Sequence, residues 1–222
     1  TFELSATRFE ALKEVTLRGL RSYPQTEAYL LARDRRDALA RELHFLPDEQ
    51  AERVAAATRE QVKAFAGTFF ARGKLEAIVH GHLSPEAAVE ATRTVAAQIA
   101  AKSLPPESLL RRRHLHLPPG QPLVDAGEIA GANSAYLSDY LLPDDSPQTR
   151  AAGIVIGNFM SEPYYTELRT RQQLGYIVGS GAGGSLRQRY LSFTLQSSGY
   201  APDELQRRSE AFLATLPAQF AA

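Results

Sequence analysis

Apolar positions along the first hundred residues recur at helical spacing. Phe9, Leu12, Thr16 and Leu20 fall on one stripe, and Ala28, Leu31, Leu39 and Leu43 fall on another. A third helix is expected after Pro47, presenting Val54, Thr58, Val62, Phe65 and Phe69 and stopping at Arg72-Gly73. Leu75 to His80 then reads as a short strand. The next helix opens on Ser84 as N-cap with Pro85 at its first position, and carries Val89, Thr92, Val95 and Ile99. From Lys102 to Pro122 the pattern breaks into a basic stretch punctuated by Pro105-Pro106 and Pro118-Pro119-Gly120, as in a linker. Beyond it, Ser134 to Leu142 predicts a strand, and Ser146-Pro147 opens a helix bearing Ile154, Val155, Phe159 and Met160. Pro163 lacks a backbone donor, so this helix is expected to kink there, or to restart and run to Gln173, with Gly175 as its stop. Tyr176 to Gly181 and Tyr190 to Gln196 predict a hairpin with one buried face, joined flexibly through Gly181, Gly183 and Gly184. An amphipathic helix from Asp203, with Leu205, Phe212, Leu213 and Leu216, closes the chain.

This order of elements predicts an α+β fold, a mixed or antiparallel sheet covered by helices. Two parts are expected: a helix-rich one over residues 1–104 and a second over 123–222, separated by a linker at 105–122. Composition narrows the function. With 222 residues and 44% hydrophobic content the chain can bury a core, so disorder is not expected. Lys+Arg and Asp+Glu both total 25, which leaves no global field to attract nucleic acid or an anionic membrane; Arg111-Arg112-Arg113 is only a local patch. No apolar run is long enough for a membrane span, and Thr1-Phe2-Glu3-Leu4 does not begin a signal peptide. The absence of an initiating Met points to a processed or excised chain. Because there is no cysteine, disulfides, thiol nucleophiles and thiolate metal sites are excluded, and oxidising and reducing compartments both remain open.

Residues with catalytic chemistry are sparse. His80-Gly81-His82 and His114-Leu115-His116 could each present two imidazoles to one strand face, but neither offers the third ligand and base of a catalytic zinc site. No His-x-x-Glu-His or His-Glu-x-x-His run occurs. Surface or linker histidines are the expected reading. Asp144-Asp145 reads as helix-entry decoration. The stretch Ser180 to Ser185 lacks the Gly-Lys-Ser/Thr ending and the following helix of a phosphate loop. Read from residues alone, the chain carries no catalytic apparatus.

One segment is more specific. Glu162-Pro163-Tyr164-Tyr165, followed by Leu168-Arg169-Thr170-Arg171-Gln172-Gln173-Leu174-Gly175-Tyr176-Ile177-Val178, closely resembles a signature of the insulysin/pitrilysin-type (M16, inverted zinc motif) metallopeptidases. The likeness extends to Phe193-Thr194-Leu195-Gln196-Ser197 and Glu210-Ala211-Phe212-Leu213, and upstream to His80-Gly81-His82-Leu83. It implies parts of the third and fourth homologous domains, in the C-terminal, non-catalytic half. In such an enzyme the N-terminal half holds zinc, and the C-terminal half closes over a peptide to form a chamber. Carried over by position, Arg169 and Tyr176 reach the bound peptide and Tyr165 lines the chamber, with no catalytic residue and no metal ligand in this chain. The implied partners are a peptide substrate and the N-terminal catalytic half of the same polypeptide, in a bacterial periplasm or cytoplasm. Precursor processing for pyrroloquinoline quinone and general oligopeptide degradation both fit. The alternatives are an inert structural relative, in which the same residues only pack, or an autonomous metallohydrolase using His80, His82 and His114 or His116. Against the family pattern, the chain reads as the back of one repeat joined to the front of the next, and unclosed edges or apolar faces would favour self-association.

Overall fold

The computed structural model describes residues 3–99 and 101–221; Thr1, Phe2, Ala100 and Ala222 lie outside it. Its contacts sort into two compact units, and the chain alternates between them. Thr1–Arg21 and Pro47–Arg112 form one unit, while Ser22–Leu46 and Arg113–Ala222 form the other. This grouping differs from a single cut at residues 105–122, because Ser22–Leu46 belongs with the C-terminal strands.

The first unit is helical. It contains nearly all of α1 (Ala6–Ser22), then α3 (Pro47–Ala56), α4 (Arg59–Thr68) and α5 (Pro85–Ile99). The single helix expected after Pro47 is therefore two. Thr58 stops the first and caps the second: its hydroxyl accepts from the Gln61 N–H at 3.2 Å, while the Gln61 side chain accepts from the Thr58 N–H at 2.8 Å. Lys13 donates to the Ala57 carbonyl at the break, 2.8 Å away. The strand expected over Leu75 to His80 is absent. Pairing occurs instead at β1 (Arg72–Gly73), which lies parallel to β2 (Lys102–Ser103). Leu75 to His80 has no neighbouring strand among the described residues, and Ile78 is 99% exposed. Ser84 caps α5 as expected, accepting from the Ala87 N–H.

The second unit holds the main core and a three-stranded antiparallel sheet. The sheet comprises β3 (Ser134–Leu141), β4 (Ile177–Ser185) and β5 (Gln188–Ser197) in the order β3–β5–β4. Phe193, Leu195 and Val178 pack with Met160 and Tyr164 of α6 (Pro147–Tyr165) and with Leu205 and Phe212 of α7 (Pro202–Leu213). Leu216, which opens α8 (Leu216–Ala221), joins the same core. The Tyr164 hydroxyl, buried in this core, shares a hydrogen bond with the buried Ser209 hydroxyl 3.0 Å away. Burial raises the Tyr164 phenol pKa, so it stays protonated.

Helix α2 (Ala28–Ala40) is held against β3 and β5 by polar contacts. The buried Gln196 side chain accepts from the Tyr29 N–H at 2.9 Å and donates to Glu27, so it satisfies an orphan donor in the first turn of α2. Arg36 bonds Asp139 of β3 at 3.2 Å and lies over the Tyr190 ring of β5.

Gly181, Gly183 and Gly184, expected in a flexible connection, are instead part of β4, and the turn is Leu186-Arg187, with Leu186 at φ 52°. Neighbouring groups occupy the space a side chain would take. The Tyr190 ring fills the place of a Cβ at Gly183, and the Arg189 side chain does so at Gly184. On α6, a Cβ at Gly157 would lie 2.6 Å from the Ala182 nitrogen, so the helix rests directly on the β4 backbone. Ser146 caps α6 by accepting from the Thr149 N–H. Asp145 ties the start of α6 to β5 through Arg150, at 2.7 Å, and Arg189. Hydrogen bonds from Arg150 and then Arg189 hold the Asp145 carboxyl down at about 2.

Two predictions follow from this packing. In the full-length protein, Gly157→Ala should lower stability by about 1–3 kcal/mol by forcing α6 away from β4, as read from urea denaturation. The folded-state carboxyl of Asp145 lies below its unfolded value of about 3.9, so its contribution is present above pH 4 and lost as pH falls toward 2. Asp145→Asn should remove that part of the acid dependence, as measured by denaturation across the range.

Candidate functional site

The Arg169, Tyr176 and Tyr165 side chains lie where α6 gives way to the sheet. Helix α6 stays α-helical through Pro163 to Tyr165, without ending or restarting at the proline. The helix changes character one step later: the Thr166 N–H reaches both the Glu162 and Pro163 carbonyls, and residues Thr166–Arg171 form a π-helical turn. Its i to i−5 bond, from the Gln172 N–H to the Glu167 carbonyl, is 3.0 Å long. The wide turn keeps Leu168 fully buried while moving Arg169 out of step with a normal helical face.

Termination comes from Gln173, a non-glycine residue in the left-handed region at φ 53°. The Leu174 N–H bonds back to the Leu168 carbonyl at 3.0 Å, and the Leu174 side chain enters the core. Gly175, expected as the helix stop, serves close approach instead. A Cβ there would overlap the Gln196 carbonyl oxygen of β5. With Leu174 anchored and Gly175 pressed on β5, Tyr176 is turned outward and is 83% exposed at the entry to β4.

Arg169 and Tyr176 are brought together: the guanidinium carbon lies 5.5 Å from the Tyr176 ring centroid. Tyr165 is 48% exposed, and no ring contact or hydrogen bond joins it to the other two among the described residues. Arg169 has no carboxylate partner among the described residues, although Glu162 and Glu167 are close in sequence. Glu162 accepts from the Thr166 hydroxyl at 2.8 Å. Glu167 takes hydrogen bonds from Gln172 and Arg171, which lower its pKa. Arg169 Nε is buried and has no hydrogen-bond acceptor among the described residues. Gln172 also accepts from Arg208 of α7 at 3.1 Å, tying down the end of the π turn.

The π turn and the unpartnered Nε were not legible from sequence spacing. Pro163 followed by two adjacent tyrosines was the available signal of a helix under constraint. Of the two basic hairpin residues, Arg189 is committed to Asp145, whereas Arg187 is exposed in the turn. Among the described residues, no three His, Asp or Glu side chains are grouped so as to hold a metal ion. No chemical step through a metal is assigned to these residues. No helix among the described residues is long and apolar enough to cross a membrane.

This fold and segment define the class: the chain belongs to the insulysin/pitrilysin-type (M16) peptidase family and matches part of its C-terminal half. Residues 155–222 match the family described as PQQ synthase PqqF-like, C-terminal lobe domain 4. The chain is 30% identical over 223 residues to the insulin-degrading enzyme of Mus musculus, covering 97% of this chain and 22% of that protein. It is 25% identical over 219 residues to the nardilysin-like protein of Arabidopsis thaliana, covering 96% and 21%. The crystal structure of pitrilysin shares the fold over all of this chain and 24% of its own, with a TM-score of 0.79 at 24% identity. The chain thus spans about a fifth of the length of these curated relatives.

Since Arg169 forms no ion pair among the described residues, Arg169→Ala in the full-length protein should cost less than about 1 kcal/mol of stability, the scale of a single cation–π contact. Chemical denaturation of the variant checks this. A loss of several kcal/mol would mark Arg169 as a packing residue.

Proposed function

We propose that this chain forms one wall of the peptide-binding chamber of a zinc metallopeptidase whose metal and general base lie elsewhere in the same polypeptide. Arg169 and Tyr176 supply hydrogen bonds to a bound peptide, and Tyr165 lines the chamber beside them. The reading rests on the Arg169–Tyr176 pair: a permanently charged guanidinium without a counter-ion, held on a phenol that faces solvent. A guanidinium offers several fixed donors to carbonyl oxygens or to charge developing on the scissile group, and a phenol adds one more. The fold holds both on rigid elements, with Leu168 and Leu174 in the core on either side of the turn.

The relatives' names support a proteolytic setting, and the insulin-degrading enzymes among them act on a polypeptide. In this proposal the chain itself cuts nothing. It contributes binding and transition-state contacts to the catalytic half.

In the full-length enzyme, Arg169→Ala should lower kcat/KM by about a hundredfold and Tyr176→Phe by about tenfold, with the fold intact by circular dichroism. Peptide hydrolysis assays measure both. Wild-type turnover in the Arg169→Ala, Tyr176→Phe double variant would instead assign the segment to an inert scaffold.

A further inference from the structure

The order β3–β5–β4 leaves one long side of β4 free among the described residues. In an antiparallel pair, alternate residues direct N–H and C=O toward the partner strand, and those between point away. Every second residue of Ile177–Ser185 therefore presents unpaired backbone groups along roughly 30 Å of strand. Exposed edges are ordinarily blunted by lysine, proline or a bulge. This edge has none of these: no charged residue or proline lies between Ile177 and Ser185, and its register with β5 is unbroken.

Charge sits at its ends. Arg169 stacks on Tyr176 just before the strand, and Arg187 occupies the turn just after it; neither has a carboxylate partner among the described residues. The other basic groups nearby are neutralised, Arg171 by Glu167 and Arg189 by Asp145.

We propose that the free edge of β4 binds an extended peptide of net negative charge as an added strand, its acidic groups meeting Arg169 and Arg187 at the two ends. Main-chain hydrogen bonds hold the peptide, and the end cations select its charge. The inference rests on the chamber reading, which it extends by naming the binding surface and the preferred substrate.

The test uses the full-length protein, with metal chelated to prevent cleavage, and the fluorescein-labelled peptide Glu-Thr-Val-Thr-Val-Thr-Val-Glu in anisotropy titrations. Two versions N-methylated on alternate residues, in opposite phase, remove the donors on one side of the peptide or the other. One phase should weaken binding by about tenfold or more, and the other should leave it nearly unchanged. Replacing both peptide glutamates by glutamine should weaken binding severalfold, and Arg187→Ala should weaken only the glutamate version. Equal binding of the two N-methylated phases, equal binding of the glutamate and glutamine peptides, or displacement of the peptide by dimerisation along β4 would overturn the proposal. These outcomes are independent of the turnover of Arg169→Ala, which tests the chamber reading separately.

Discussion

The α-carbon of Gly175 and the backbone carbonyl of Gln196 occupy neighbouring space that leaves no room for a side chain. That close approach fixes how the chain leaves the π turn. Leu174 is driven into the core on one side of it, and Tyr176 is turned to solvent on the other. The same Gln196 uses its side chain to hold the first turn of α2. One residue of β5 therefore locks the outward-facing segment through its backbone and anchors the α2 segment through its amide. The site's geometry depends on backbone contact that tolerates only glycine, and similar contact recurs where Gly157 meets β4.

The unpartnered charge of Arg169 is a consequence of this construction. The carboxylates nearest to it in sequence, Glu167 and Glu162, lie two and seven residues away, neither of them an i,i+3 or i,i+4 helical neighbour. The π turn changes the angular spacing, and both carboxylates find other donors. A cation without a counter-ion is costly unless water or a ligand completes it. Its contact with the Tyr176 ring is the weak kind that lets a stronger acceptor take its place.

Much of the second unit was legible because its signals are local. Ser146 with Pro147 announced α6, and the alternation of Leu191, Phe193 and Leu195 announced β5. Thr58 and Gln61 spell a capping box that marks the break between α3 and α4, but Val54, Val62 and Phe65 continue one stripe across it and mask the stop. The glycines of β4 read as a loop because glycine is poor in strands. Their use as strand residues depends on the Tyr190 ring, the Arg189 side chain and the α6 backbone, none of which is visible from spacing. Leu75 to His80 has a strand's composition but no neighbour to pair with among the described residues. For the site, sequence brought Arg169 and Tyr176 forward through family likeness; the π turn that joins them is tertiary in origin.

The alternation of the chain between its two units also bears on synthesis. Ser22–Leu46 emerges from the ribosome long before β3 and β5, against which α2 packs, and the Glu27–Gln196 bond closes a loop of 169 residues. Until β3 is made the polar face of α2 lacks Asp139, and until β5 is complete it lacks Gln196. The late strands therefore set the pace at which this unit becomes native, and the early segment must stay soluble while it waits. The charged, weakly apolar character of α2, with Arg33, Asp34, Arg35, Arg36 and Asp37 in sequence, suits a helix that has to wait for its sheet.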